Sequence, residues 1–188
     1  MNRWKMIPVA MALAAVAPAQ AESVDERIAA SQEAIQEFAQ TLQGHLMEAM
    51  QEGGPTEAIS VCRQVAPQIA EDISAETGWS VGRTSLKLRN PDNAPDAWER
   101  EVLEHFEARH AEGVPASELA YHETVQEDGE EMFRLMRAIP TGGLCLTCHG
   151  SEPSGDIQHA LEQMYPEDQA IGYSEGDVRG AFTIIQRM

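Results

Sequence analysis

Two thiols and an imidazole stand close together in Cys145-Leu146-Thr147-Cys148-His149. This C-x-x-C-H spacing is the attachment signature of a c-type haem. The two thiols add across the two vinyl groups of one porphyrin edge. The imidazole that follows the second thiol reaches the iron from one face, and histidine is the usual proximal ligand. A structural zinc site would need another ligand at compatible spacing, and the chain has no second C-x-x-C pair. A thioredoxin-type motif opens the first helix of a strand-helix-strand unit, whereas this one comes late, after Gly142-Gly143. A short disulfide loop would leave His149 and the third cysteine, Cys62, without a role.

The group across the iron from His149 decides what the iron can do. Candidates are Cys62, the histidines at 45, 105, 110, 122 and 159, and several methionines, of which Met132, Met136 and Met164 lie nearest the motif. Met47 and Met50 read as core filler on a helix, and His105 and His110 fall in a segment rich in Glu. Spacing alone leaves Cys62 open between a buried small hydrophobe and a ligand. Arg83, Lys87 and Arg89 alternate along an expected strand and would share one face. There they would either meet haem propionates or stand in solvent.

The elements that must position these groups are legible from periodicity. Ile28, Ile35, Phe38, Leu42, Leu46 and Met50 recur at helical spacing from about Ser23 to Glu52. Gly53-Gly54 ends that helix, and Pro55 suits the first turn of the next. Ala58, Cys62, Val65, Ile69 and Ile73 then form a second stripe up to Gly78, which turns Cys62 inward. Trp79 to Arg89 reads as a strand, and residues 90–95 as a dense turn. A third helix follows with Asp96 as its cap and Trp98, Val102 and Phe106 toward the core. Leu119 to Val125 and Met132 to Ile139 flank an Asp128-Gly129 pair, the clearest hairpin signal in the chain. A short helix around Ile157 to Met164, a loop from Tyr165 to Asp177 and a strand from Val178 to Ile185 complete the pattern. Helices and strands are partly segregated, so the fold class is α+β, with an antiparallel sheet and flanking helices. That layout opposes both all-helical cytochrome types, the small carriers with an early motif and the four-helix bundles whose chain ends soon after it.

The 188 residues carry 13 basic and 31 acidic side chains, a net charge of -18. Residues 1–21 read as a leader: Arg3 and Lys5, an apolar run from Met6 to Ala17, and the small-x-small site Ala19-Gln20-Ala21. Its removal leaves residues 22–188, takes away two basic groups and no acidic one, and moves the charge to -20. The expectation is export to the periplasm, with no membrane span after cleavage. This acidity excludes nucleic acid and anionic lipid, both of which require clustered Lys or Arg. Residues 22–188 are expected to form one domain, helical over 22–76, with the sheet and the attachment motif in 77–188.

The segments Ala58 to Pro67, Val81 to Asn93, Cys145 to Gly150 and Gly176 to Ala181 together resemble the c-type haem domains with a PAS-like fold. That family includes free-standing exported proteins, among them a cyanobacterial one linked with photosystem preparations, and the sensor regions of bacterial signalling proteins. The resemblance implies a PAS-like antiparallel sheet behind long N-terminal helices. It implies one covalent haem c, with Cys145 and Cys148 as thioether anchors, His149 as proximal ligand and Cys62 as distal ligand.

A thiolate donates charge to iron and favours the ferric state, so such a site has a lower potential than a His/Met carrier. The expectation is an exported redox or small-ligand sensor in which Cys62 loosens on reduction. It is not expected to be an enzyme, and its signal would pass through a redox partner or a membrane signalling protein. The rival reading is a low-potential electron carrier, with a haem enzyme such as a peroxidase as a weaker one.

Overall fold

Ser23 accepts a hydrogen bond from the Glu26 backbone, and the Glu26 carboxylate reaches back to the Ser23 amide, so a capping box starts the first helix. The computed structural model describes residues 22–188, and the expected leader lies outside the described residues. Helix α1 runs Val24–Glu52 and α2 runs Gly54–Thr77, the pair that the periodicity predicts. Gly54 at φ 74° turns the chain back between them, and Gly78 at φ 73° ends α2 in the left-handed conformation. Pro67 lies inside α2, where it has no N–H to give the Arg63 carbonyl.

Strand β1 covers Ser80–Thr84, and a 3-10 turn at Pro91–Asn93 leads to α3, Ala97–Ala111, with Asp96 and Glu99 as its capping box. A second 3-10 turn at Ala116–Glu118 precedes β2, Ala120–Glu127, and β3, Glu130–Pro140. Between these strands Asp128 and Gly129 both take positive φ, 52° and 87°, as a tight hairpin of this type requires. Helices α4, Gly143–His149, and α5, Gly155–Met164, are followed by a loop and β4, Val178–Arg187.

The four strands form one antiparallel sheet in the order β1-β4-β3-β2. Helices cover both of its faces, and the chain is α+β. On one face Val81, Leu135, Phe182 and Ile184 pack with the α1 and α2 stripes, where Phe38 meets Phe182 edge-on at 5.3 Å between ring centres. On the other face Met136, Ala138 and Ala181 pack with Val102, Leu103 and Phe106 of α3. A third cluster joins Ile59 of α2 to Ile157, Ala160 and Leu161 of α5 and to Tyr165.

Three expectations are corrected. The strand expected over Trp79 to Arg89 stops at Thr84, because its partner β4 reaches Gly180 there. A side chain at Gly180 would collide with the Thr84 carbonyl, and Ser85 turns its amide away to Asn93. Arg83 is therefore the strand residue of the three cations, while Lys87 and Arg89 lie in the following loop and share no strand face with it. The attachment motif, to which the sequence assigned no element, forms helix α4 directly after Gly142. Seven residues are too few for periodicity to reveal. Met47, expected in the core, is 43% exposed, although Met50 does pack against it.

Candidate functional site

Between the α1–α2 pair and the end of the sheet lies a cavity of about 580 Å³. Ala39, Leu42 and Leu46 of α1 form one wall, and Cys62 of α2 opens on it. Opposite stand Ile139, Pro140, Leu144 and Cys145, around the start of α4. Arg83, Lys87, Arg89, Arg179 and Tyr165 supply most of its remaining polar character. The fold thus brings Cys62 and Cys145, distant in sequence, to one apolar space.

His149 closes α4 and is held from several sides. Its Nδ1–H donates to the Ala170 carbonyl at 2.6 Å, which leaves the lone pair on Nε2. Nε2 accepts from Arg89 Nη1 at 3.3 Å, and Arg89 also lines the cavity. The Tyr173 amide donates to the His149 carbonyl, and the two rings meet edge-on. Burial, with Arg179 and Arg89 beside it, pushes the imidazole down to about 2, against the pull of Ala170. The ring is therefore neutral, the form in which it can bind a metal.

Arg89 is the hub of this wall. Its guanidinium donates to Asp168 Oδ2 through Nε at 3.1 Å and Nη2 at 2.9 Å, and to the Cys148 carbonyl at 2.7 Å. Both side chains of the ion pair are at most 10% exposed. Asp168 Oδ1 accepts from the Ala170 amide at 2.8 Å, so the same carboxylate places the carbonyl that holds His149. Arg89 is thus committed to the histidine wall.

The opposite wall is plain. Cys62 sits on the inward stripe of α2, half-buried, and no hydrogen bond reaches its sulfur among the described residues. Burial pushes its thiol up, while Arg83, Arg89 and Arg179 pull it down. Burial likewise pushes Cys148 up, with Arg89 opposing. Tyr165 is pushed up to about 12 by burial and then by Cys62.

Four of the 11 basic residues after position 21 line this one cavity, and no carboxylate lines it among the described residues. Arg83 stands over the Phe38 ring at 5.3 Å. Lys87 stands over Tyr173 at 4.9 Å, with Arg179 also over that ring at 5.2 Å. Burial lowers both Arg83 and Arg179 from their ordinary value, yet arginine keeps its charge. An anion entering the cavity would therefore meet two half-buried guanidinium groups that have no carboxylate partner among the described residues.

Arg179 is the group that sequence reasoning missed. Ile139 pairs with Gly180 but Pro140 with Val178, so Arg179 is an extra residue in β4. Such a bulge re-aims a side chain, and here it accompanies a cavity-lining arginine whose Nη1 donates to Ser85 Oγ at 3.2 Å. Its place beside Gly180 in a cation-poor chain was the available signal. Asp168 and Ala170 carried no comparable signal. Cys148 and His149 are not among the residues that line the cavity; both stand behind Arg89, which does line it. The other imidazoles and thioethers lie elsewhere among the described residues: Met136 is sealed in the α3 core, His122 lies against Phe133, and His159 bonds Gln163 on α5.

The sequence model of the Tll0287-like family matches residues 11–187. The chain is also similar to a solved structure described as the crystal structure of the cyanobacterial heme-protein Tll0287. The two are 27% identical with a TM-score of 0.65, and the match covers 88% of this chain and 98% of that one. No curated protein matches the chain.

Proposed function

The chain belongs to the Tll0287-like family, and on that premise we propose that it binds one haem c and acts as a redox or small-ligand sensor in the periplasm. One observation carries the reading. Cys62 and Cys145 open on the same apolar cavity, next to a neutral histidine whose Nδ1 is already committed to a carbonyl. The residues fit the group. Cys145 and Cys148 are the thioether anchors, His149 the proximal ligand, and Cys62 the distal one. Arg83, Arg179 and Lys87 answer the two propionates, and the apolar α1 wall faces the macrocycle. The sheet order, with the first strand beside the last, agrees with a PAS-like plan.

Haem, when bound, supplies an iron that exchanges one electron and takes a sixth ligand. The Ala170 carbonyl fixes the His149 tautomer and raises the basicity of Nε2. Arg89 must give up its 3.3 Å contact with Nε2, while Asp168 and the Cys148 carbonyl keep it in place. As a thiolate ligand Cys62 would favour the ferric state, and its release on reduction would leave a position for a small gas. With His149 and Cys62 both engaged, a peroxidase has no open position, so the protein is read as a non-enzyme. The second reading, a low-potential electron carrier, is favoured by Leu144. This residue lies next to an anchor, lines the cavity and is 37% exposed, an apolar contact point for a redox partner.

A spectroelectrochemical titration of the natural protein and of Cys62→Ala, with and without carbon monoxide, tests the proposal. The substitution is expected to change the ferric spectrum and raise the potential, and carbon monoxide to bind the reduced natural protein. An unchanged ferric spectrum removes Cys62 from the iron. Failure of carbon monoxide to bind the reduced natural protein favours the carrier.

A further inference from the structure

Tyr165 is a polar side chain of the cavity with no evident work. It follows the last residue of α5 and is 6% exposed, with Ile59, Ile157, Ala160 and Leu161 in its cluster. Arg63 lies over its ring at 5.9 Å. Ile59, Cys62 and Arg63 are spaced three and four apart on α2, so they share one face, and Tyr165 meets that face on both sides of Cys62. Its hydroxyl has no hydrogen-bond partner among the described residues. The residue lines the large cavity and also an adjoining cleft of about 360 Å³ that Arg63 and Arg89 share. The ring is buried while the hydroxyl stays accessible at the cavity and the cleft, so it is free to donate to a group that enters there.

We propose that the Tyr165 hydroxyl is the hydrogen-bond donor to the sixth position of the haem iron. It donates to the Cys62 sulfur while that ligand is bound, and to the small acceptor ligand that replaces it. Tyr165 is then a specificity residue: it favours incoming ligands that accept a hydrogen bond over those that do not. The inference rests on the reading of Cys62 as distal ligand, and the ferric spectrum of Cys62→Ala decides that reading separately.

The test uses haem-loaded Cys62→Ala, in which the sixth position is open to added ligands. Fluoride accepts a hydrogen bond when bound, whereas bound 1-methylimidazole neither accepts nor donates one. Adding Tyr165→Phe is expected to weaken fluoride roughly three- to tenfold and to leave 1-methylimidazole within about twofold. An equal loss for both ligands, or no loss for either, overturns the proposal. With Cys62 in place, Tyr165→Phe should lower the midpoint potential, since the thiolate then donates more charge to iron. An unchanged potential overturns the contact with the Cys62 sulfur. Should Tyr165→Phe fail to retain haem, the iron–fluoride vibration of Cys62→Ala in H2O and D2O takes its place, and a vibration insensitive to D2O overturns the proposal.

Discussion

The two sides of the candidate site, His149 behind Arg89 and Cys62 on the cavity surface, are built on opposite principles. On the His149 wall, position is set by directed bonds: Nδ1 to Ala170, Arg89 to Asp168 and to the Cys148 carbonyl, and the Tyr173 amide to the His149 carbonyl. On the Cys62 wall, position is set by the packing of one helix, with no hydrogen bond at the sulfur among the described residues. That helix also lacks one backbone bond a turn on, where Pro67 leaves the Arg63 carbonyl without its helical donor. A ligand fixed by several short polar contacts cannot leave without stranding buried groups, whereas one held by packing can move with its helix. Under the proposed ligation, the asymmetry makes Cys62 the exchangeable side and His149 the permanent one.

The largest break in that comparison is Asp168→Asn. It leaves the Arg89 guanidinium buried without its carboxylate, which should cost about 3–5 kcal/mol in urea unfolding. It should also alter the haem spectrum, because the Ala170 amide loses its charged acceptor and the carbonyl holding His149 shifts. A stability loss under about 1 kcal/mol would mean that the histidine wall is no more tightly built than the other.

Pro67→Ala acts on the other wall. Restoring the missing bond should raise stability by up to about 3 kcal/mol. It should also slow displacement of Cys62 by carbon monoxide, followed by stopped flow, with no change at His149. Faster displacement would contradict the packing-held picture.

The smallest effect belongs to a site that neither wall includes. Ser23→Ala removes the α1 cap and should cost about 1 kcal/mol, with the ferric spectrum unchanged. The Ser23 amide and hydroxyl hold the exposed Glu26 carboxyl below its ordinary value. The Glu26 contribution is therefore present above the unfolded value near 4.5 and lost as pH falls through the lower folded one. The gap in stability between the natural protein and Ser23→Ala should narrow as pH falls through that range, because the substitution removes the hydroxyl's share of the Glu26 shift and keeps the amide's. Parallel curves across that range would remove the Ser23 hydroxyl from the Glu26 shift.

Local signals carried far in this chain because several of its elements rest on short-range physics. The capping boxes at Ser23 and Asp96, the stripes of α1 and α2, and the Asp128-Gly129 turn each depend on residues a few positions apart. Seven-residue α4 had no room to display a period, and β1 is cut short by the backbone of β4, a partner nearly a hundred positions away. Arg83, Lys87 and Arg89 do reach one cavity, but not by sharing a strand face.

By itself the sequence determined the reactive groups and their local frames. A C-x-x-C-H run needs only its own spacing to present two thiols and an imidazole, and an apolar stripe needs only the helical repeat to turn Cys62 inward. Which groups stand opposite one another was decided by the tertiary structure alone. The bulge that accompanies the cavity-facing Arg179, the Asp168 carboxylate behind Arg89 and the unpartnered hydroxyl of Tyr165 each depend on contacts between elements remote in sequence. Side-chain periodicity tells which way a residue faces along its own element, and it carries no information about what the next element brings to meet it.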